Sequence, residues 1–204
     1  MSLKKILFVF SISQICISNI HAQTFSIPEQ VTFGSDQYDF LTDMILTPVD
    51  GYLVCGETYG GIAGDKTSPS FGFLDYWLVK FDNTLQPQWQ KSFGGNSGDY
   101  SPTIINISSG GFLLVGGSGS TISGNKTIDT IGGGDIWVLK LNASGGVVWQ
   151  NVYGGDSTET MTRNSIVELS DGSFVIGCSS ISGISGNKTD TSTCLNRSDE
   201  TENL

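Results

Sequence analysis

The stretch DYWLVK at residues 75–80 returns as DIWVLK at residues 135–140. Two other motifs recur with the same spacing: FG at 33–34 returns as FGG at 93–95 and YGG at 153–155, and WQ at 89–90 returns at 149–150. The offset is 60 for each motif (135 − 75, 93 − 33, 149 − 89). A fixed period of this size is typical of proteins built from stacked or radially arranged repeats.

The middle copy, residues 93–150, contains four short runs rich in β-branched and aromatic residues. These runs cover residues 103–107, 112–115, 135–141 and 147–153. Glycine, asparagine and serine separate the runs, which is the composition of turns. No window after Ala22 has the 3.6-residue periodicity of an amphipathic helix. Each copy is therefore predicted to form a four-stranded antiparallel meander.

The third run of the middle copy alternates between two apolar faces. Trp137, Leu139 and Leu141 share one face of the strand, and Ile136 and Val138 share the other. A four-stranded sheet cannot cover both of its own faces, so each copy needs a neighbour on either side. That requirement favours propeller blades. The sequence thus predicts an all-β protein, a partial β-propeller built of four-stranded antiparallel blades, two complete and one incomplete.

Tryptophan and cysteine residues are both expected to serve packing. A buried tryptophan removes about 150–250 Å² from water, so the recurrent ones are predicted to hold blade to blade: Trp77, Trp89, Trp137 and Trp149. Cys55 falls in register with Val115 and is predicted to be a small buried hydrophobic residue. Three cysteines follow Ala22, namely Cys55, Cys178 and Cys194, and an odd number cannot pair fully.

The third copy begins like the others and then departs from the pattern. Its GNKT motif follows that of the second copy at an offset of 62 (186 − 124), which predicts two single-residue insertions in loops. The spacing then predicts Asp and Trp near positions 197 and 199, where the chain has Arg197 and Asp199. Three explanations for the incomplete third copy stay open: a shortened gene, a fragment of a longer protein, or assembly with other chains.

The boundaries of the repeats give the predicted organisation of the chain. The segments are a signal peptide at 1–22, repeats at 23–190 (about 31–90, 91–150 and an incomplete 151–190) and a polar, unpatterned and therefore disordered tail at 191–204. Residues 30–34 match the end of a fourth strand, and they are predicted to be the kind of N-terminal strand that completes the last blade of a closed propeller.

The segment 1–22 has the three parts of a secretory signal peptide. Lys4 and Lys5 are positively charged, residues 6–20 are largely apolar, and Ala22 is a small residue suited to cleavage. The chain is therefore predicted to be exported, with no membrane span after cleavage. Lipid attachment at Cys16 is the weaker alternative, because Gln and Ile precede it where small residues are expected.

Charge and histidine content exclude several functions. The formal net charge is −10, from 20 acidic and 10 basic residues, which argues against nucleic acid and anionic membrane surfaces as partners. The single histidine, His21, lies in the predicted signal peptide, so the mature chain lacks imidazole for Ser-His-Asp, Cys-His or His-containing zinc sites. No enzyme is predicted, and no catalytic, cofactor-binding or metal-binding residue is assigned.

The polar loop between the second and third strands is the best place for a site. It covers residues 58–74, 118–134 and 179–190, with the motifs GDKT, GNKT and GNKT. Asp and Asn oxygens there, together with Asp75 or Asp135, suit Ca²⁺, which takes six to eight oxygen ligands. The lysine of the motif and the absence of an EF-hand spacing argue against calcium. The alternative is that these side chains bond the backbone of a tight turn.

Two pairs of nearby carboxylates offer glycoside hydrolysis as an alternative. Asp36 with Asp39, and Asp156 with Glu159, are close in sequence, and glycosidases use two carboxyl groups about 5–10 Å apart. The corresponding position in the middle copy is also acidic, at Asp99. Because a catalytic pair is normally unique in a chain, acidic residues that recur with the repeat favour a structural role.

The combined repeat resembles a known group of secreted proteins. The pattern GGxSGDxxxxIIxxxxGGFLLVGGSxSxxSGNKTxxxxGGGDIWVLKLNxxGxxxWQ is similar to repeats that precede a type IX secretion sorting domain in Bacteroidota-type bacteria, over roughly residues 30–190. The resemblance implies a β-propeller-like fold, export across the outer membrane and a surface or extracellular location. Some members carry labels such as endoglucanase, which implies carbohydrate as a ligand class. The chain departs from the group by having no C-terminal sorting domain.

These observations favour an exported, non-enzymatic repeat protein that acts as a binding or surface-interaction scaffold and is a fragment of a longer propeller. Glycan or protein at the cell surface is the expected partner, with the oligomeric state left open. The alternative is a carbohydrate-active enzyme module or an accessory glycan-binding domain. A third interpretation is a degenerate fragment with no independent function.

Overall fold

The computed structural model describes residues 31–49 and 51–190. The predicted signal peptide and the predicted disordered tail lie outside these residues. All ten regular elements of the described part are β-strands. Within that part, no helix is long and apolar enough to cross a membrane.

The strands form three antiparallel sheets in chain order. The first blade contains β1 (Asp39–Leu46), β2 (Tyr52–Thr58), β3 (Asp75–Phe81) and β4 (Pro87–Phe93). The second blade contains β5 (Asp99–Asn106), β6 (Phe112–Ser118), β7 (Asp135–Leu141) and β8 (Val147–Tyr153). The third sheet contains β9 (Glu159–Glu168) and β10 (Phe174–Ser180). This arrangement confirms the all-β class and the partial propeller with two complete blades and one incomplete.

The two extra residues of the third copy lie in a strand, so the prediction of loop insertions was wrong. β9 has ten residues where β5 has eight. The register of β9 against β10 shifts at a bulge, where Met161 pairs with Cys178 and Ile166 pairs with Ile176. Asn164 sits in this bulge with a positive φ of 59°. The bulge absorbs the insertion because extra residues there disturb only a few ladder hydrogen bonds.

The predicted two-faced strand packs on both sides. Trp137 is buried against Tyr76 of the first blade, with ring centroids 5.4 Å apart. Leu139 and Leu141 belong to the same core cluster, which joins the first and second blades. On the opposite face, buried Ile136 and Val138 belong to a cluster with partly buried residues of β9 and β10: Met161, Ile166, Phe174 and Ile176. The alternation predicted for residues 136–141 is confirmed.

The packing roles of the tryptophans and of Cys55 are confirmed, except that Trp77 packs on Phe33 and on its own blade and not between two blades of the described residues. Trp77 and Trp137 are buried, while Trp89 and Trp149 are partly buried against the clusters of the two junctions. Cys55 is fully buried and forms no disulfide, and its thiol lies 3.5 Å from the carbonyl oxygen of Pro102 in the next blade.

The N-terminal segment packs on the first blade but does not form the predicted strand. Residues 31–35 are not in a strand. Phe33 nevertheless stacks on Trp77, with ring centroids 5.6 Å apart, and meets Phe81 edge-on at 5.3 Å. A fourth strand pairs with the third strand of its own blade, as β4 does with β3. Within the described residues, no third strand stands beside residues 31–35.

Candidate functional site

The GDKT and GNKT motifs each form a tight two-residue turn. Bridges join Ala63 to Lys66 and Ser123 to Lys126, with a third at Ser185 and Lys188. The first central residue is glycine with φ near 60° in every copy: Gly64, Gly124 and Gly186. A positive φ at this position, as in type II′ turns, explains why glycine opens the motif.

The asparagine of the motif connects one blade to the preceding one. Asn125 accepts a hydrogen bond from the backbone N–H of Gly94 at 3.0 Å and donates to the carbonyl of Ser92 at 2.8 Å. Asn187 repeats the first contact with Gly154 at 2.8 Å. The sequence interpretation had these side chains bonding the backbone of a tight turn. They do bond backbone, but that backbone lies at the end of the preceding fourth strand and not in the turn itself.

The lysine of the motif is buried beneath the loop. Lys66 donates from Nζ to the carbonyls of Ser68 (2.6 Å) and Pro69 (3.0 Å), and it lies 5.9 Å from the ring centre of Trp77. Burial lowers its pKa to about 8, and the nearby Asp75 opposes this change. A buried cation here is satisfied by carbonyl oxygens and an aromatic face.

Lys126 occupies the equivalent position in the second blade. Its Nζ donates to the carbonyl of Ser120 at 2.5 Å and lies 5.7 Å from the ring centre of Trp137. Burial lowers the pKa of Lys126 as well, opposed by Asp99 and Asp135. The lysine that argued against calcium in the sequence thus forms part of the blade interior.

The glutamine of the WQ motif ties the loop to the third strand. Gln150 accepts from the backbone N–H of Thr127 at 3.1 Å and from the indole N–H of Trp137 at 3.0 Å, and it donates to the carbonyl of Asn125 at 3.2 Å. Gln90 makes the same three contacts in the first blade. Sequence reasoning noted the motif but not this role.

Replacing Gln150 with leucine is expected to lower the free energy of unfolding by about 2–3 kcal/mol. The substitution leaves the indole N–H of buried Trp137 without its acceptor, and an unsatisfied buried donor costs about 1–3 kcal/mol. Urea unfolding followed by tryptophan fluorescence measures the change. Gln88→Leu is the matched control, because Gln88 is exposed and bonds only its own turn. Equal stability of the two variants would contradict the role given to Gln150.

The acidic residues at the starts of first strands bond their own blade. Asp39 accepts from Ser35 and from Thr58, at 2.9 and 2.6 Å respectively. Glu159 accepts from Ser180 and Ser182. The other members of the two proposed glycosidase pairs are exposed and lie outside these networks: Asp36 and Asp156. These carboxylates recur with the fold, as the sequence indicated.

A different pair of carboxylates meets at each blade junction. A Cβ built on Gly154 would overlap Oδ1 of Asp135 and lie 2.5 Å from Oε2 of Glu159, so these oxygens face the same point. Oδ1 of Asp135 is buried and has no hydrogen-bond donor among the described residues. Asp75 and Asp99 face Gly94 in the same way.

Opposite pKa changes accompany this arrangement. Burial raises the pKa of Asp135, and Glu159 adds to the increase. Burial also acts to raise the pKa of Glu159, but hydrogen bonds from Ser180, Ser182 and Gly155 outweigh it and hold that pKa below its usual value. Within the described residues, no three acidic, cysteine or histidine side chains come together as metal ligands.

A serine and a glycine at this junction trade positions between the first and second copies. In the second blade Ser120 bonds Asp99, and a side chain on Gly95 would collide with Ser120. In the first blade the serine is at position 35, and a side chain on Gly60 would collide with it. A serine hydroxyl therefore occupies the same place in both blades, but it belongs to the segment before the first strand in one copy and to the loop after the second strand in the other. Comparison of the copies at offset 60 could have found this exchange.

Exposed aromatic rings form a row on the first blade. Tyr38 stacks near Phe40 with centroids 6.5 Å apart, Phe40 meets Tyr59 at 6.4 Å, and Tyr59 meets Phe73 edge-on at 4.9 Å. Their exposed fractions are 72, 48, 36 and 63 %, respectively. We call these four residues the aromatic row. Sequence reasoning did not single them out.

The second blade lacks most of the aromatic row. The residues at offset 60 are Gly98, Tyr100, Gly119 and Gly133. The last three of these line a groove of about 290 Å³ between the second and third sheets. The fold therefore accepts glycine at three of the four positions, and its own stability does not require aromatic rings there.

No protein-family model and no curated protein matches the chain.

Proposed function

We propose that the protein is an exported, non-enzymatic repeat protein that acts as a binding or surface-interaction scaffold, with the aromatic row as its contact surface. The observation that carries this proposal is the exposure of four touching rings at positions where the next copy mostly has glycine. Contiguous exposed apolar surface marks interaction sites in monomeric soluble proteins. The same proposal includes two further points. The chain belongs to the type IX secretion-associated repeat proteins, and it is a fragment of a longer propeller.

The residues that recur in the polar loops are not available to a partner, which supports the choice of the aromatic row as the contact surface. The Asn, Lys and Gln residues of the motifs face inward and bond backbone or aromatic rings. Residues that differ between copies are better placed to recognise a partner. Tyr59 and Phe73 are such residues, since each lies in the loop of residues 58–74 and is replaced by glycine in the second blade.

A neutral glycan is the second candidate, favoured by the same row. Aromatic faces pack against the apolar faces of sugar rings, and Tyr38 and Tyr59 add hydroxyl groups for hydrogen bonding. The net charge of −10 disfavours anionic polymers. An accessory glycan-binding domain fits these features better than a hydrolase, since Asp39 and Glu159 are engaged in contacts within their blades.

The test compares wild type with a triple variant that takes the residues of the second blade, Tyr38→Gly, Tyr59→Gly and Phe73→Gly. Fluorescently labelled wild-type protein is expected to bind intact producing cells, and the triple variant to lose at least tenfold in binding. Ile122→Ser is the control, because Ile122 is equally apolar and exposed but lies outside the row. Equal binding by wild type and triple variant would refute the contact surface.

A glycan array with the same proteins decides the ligand class. Binding to neutral glycans without sugar release supports the accessory domain, and sugar release would favour the enzyme alternative. Mass spectrometry of protein from the culture medium tests export. An N-terminus at Gln23 is the expected result, and retention of the segment 1–22 would contradict it.

A further inference from the structure

Four glycines line the groove of about 290 Å³ between the second and third sheets, which we call the glycine groove: Gly117, Gly119, Gly133 and Gly134. None of the four has a positive φ, and a Cβ built on any of them would have its nearest neighbouring atom 3.3–3.8 Å away. Backbone conformation and local packing therefore admit a side chain at each position. The adjacent Gly116 differs, because a Cβ there would stand 2.6 Å from the hydroxyl of Tyr76.

The first copy has side chains at all four corresponding positions. At offset 60 the residues are Glu57, Tyr59, Phe73 and Leu74. Glu57 reaches across the junction and accepts a hydrogen bond from the backbone N–H of Ser101 at 2.6 Å. The rings of Tyr59 and Phe73 meet edge-on at 4.9 Å, and Leu74 is buried. The same fold thus covers this place in one copy and leaves it open in the next. Glycine in a strand can mark a site that a ligand approaches closely.

The chemistry of the lining favours a neutral ligand that carries hydroxyl groups. Residues on both sides of the glycine groove have hydroxyl groups of their own: Tyr100, Ser101, Thr158 and Thr160. Each hydroxyl can donate one hydrogen bond and accept others, which suits ligand hydroxyl groups that do the same. Glu159 is the only charged residue of the described lining, so an anion would meet a negative charge and no cation.

The size of the glycine groove restricts the ligand to about one ring. Its volume of about 290 Å³ lies near the lower end of ligand pockets, roughly 300–1,000 Å³. Tyr100 is exposed and lines the groove, and an aromatic face can pack against the apolar face of a sugar ring. In the first copy, two rings stand at the corresponding place, so the junction can accommodate ring-shaped groups.

We propose that the glycine groove binds one pyranose residue of a neutral glycan, with the sugar ring on Tyr100 and the sugar hydroxyl groups bonded to Ser101, Thr158 and Thr160. The site belongs to the junction of the second and third sheets, whereas the aromatic row belongs to the first blade. The inference therefore does not rest on the aromatic row being a contact surface, and it shares only the class of ligand with the second candidate function.

NMR titration of the ¹⁵N-labelled full chain tests for binding. The probes are methyl β-D-glucopyranoside, methyl β-D-galactopyranoside, methyl α-D-mannopyranoside and methyl β-D-xylopyranoside. At least one is expected to give saturable changes in the amide shifts of Gly119, Gly133 and Thr158. Sorbitol, which has hydroxyl groups but no ring, is expected to bind at least tenfold more weakly. Absence of saturable changes with all four glycosides, equal binding by sorbitol, or binding by phenol alone would overturn the proposal.

The location of binding is tested by filling the glycine groove with residues of the first copy. Gly119→Tyr combined with Gly133→Phe is expected to weaken glycoside binding at least tenfold. The fold is expected to persist, because the first blade carries these residues at the same positions and circular dichroism can verify it. Gly183→Tyr is the matched control and is expected to leave binding unchanged. Gly183 is exposed, lies outside the lining, has no positive φ and has no atom within 4 Å of a built Cβ.

Two further variants separate the hydroxyl groups from the shape of the groove and the glycine groove from the aromatic row. Thr158→Val combined with Thr160→Val keeps the branched shape, removes two hydroxyl groups and is expected to weaken binding at least fivefold. The triple variant of the aromatic row is expected to keep the shift changes at the glycine groove. Unchanged binding in both groove variants, an equal loss in Gly183→Tyr, or a loss in the triple variant alone would place the sugar elsewhere and refute the proposal.

Discussion

Trp137→Ala is expected to lower the free energy of unfolding by about 3–5 kcal/mol, the range for truncating a buried aromatic side chain. Trp137 is fully buried, its ring packs on Tyr76 of the first blade, and its indole N–H donates to Gln150. Truncation removes the contact between blades, opens a cavity and leaves the Gln150 carbonyl without this donor. The junction between the first and second blades is thus expected to loosen first.

Trp149→Ala is the matched control for this prediction. Trp149 is of the same residue type and repeat but is only partly buried and lines an open groove of about 480 Å³. Its truncation is expected to cost about 1–2 kcal/mol, because little cavity forms where solvent already enters. Urea unfolding followed by far-UV circular dichroism compares the two. An equal cost for both tryptophans would contradict the proposed blade-to-blade packing.

Local pattern was sufficient to predict the strands and their faces. Residues 136–141 alternate between two faces of the strand, and both faces are apolar. This alternation depends only on strand geometry. Because both faces must be covered, stacked sheets could be predicted from the sequence. The bulge in β9 could not be located in this way, because the repeat offset of 62 counts inserted residues without placing them. Only the pairing of Met161 and Ile166 with β10 assigns the insertion to the strand.

The loop contacts were harder to predict because they join different copies. Asn125 bonds Gly94, which is far away in sequence and belongs to the end of the preceding blade, so a search for a local turn contact pointed to the wrong backbone. The facing of Asp135 and Glu159 likewise depends on how two sheets stack. The aromatic row was within reach of the sequence, since a comparison at offset 60 sets Tyr59 against Gly119 and Phe73 against Gly133.

Gly94→Ala is expected to destabilise the protein by about 3 kcal/mol, at the upper end of the usual cost of overpacking. A Cβ on Gly94 would overlap Oδ1 of Asp75 and stand 3.0 Å from Oδ2 of Asp99. Neither carboxylate can move freely, because Asp75 is held by the backbone N–H of Phe71 and Asp99 by that of Gly95. The glycine is therefore required by the close approach of two buried acidic side chains.

Gly61→Ala separates this steric effect from a general sensitivity of the loops to alanine. No atom lies within 4 Å of a Cβ built on Gly61, and its φ is not positive, so the substitution is expected to change stability by less than about 0.5 kcal/mol. Thermal and urea unfolding of both variants give the comparison. If Gly94→Ala proved as harmless as Gly61→Ala, the carboxylates of adjacent blades would not converge on Gly94, and the junction would have to be packed differently.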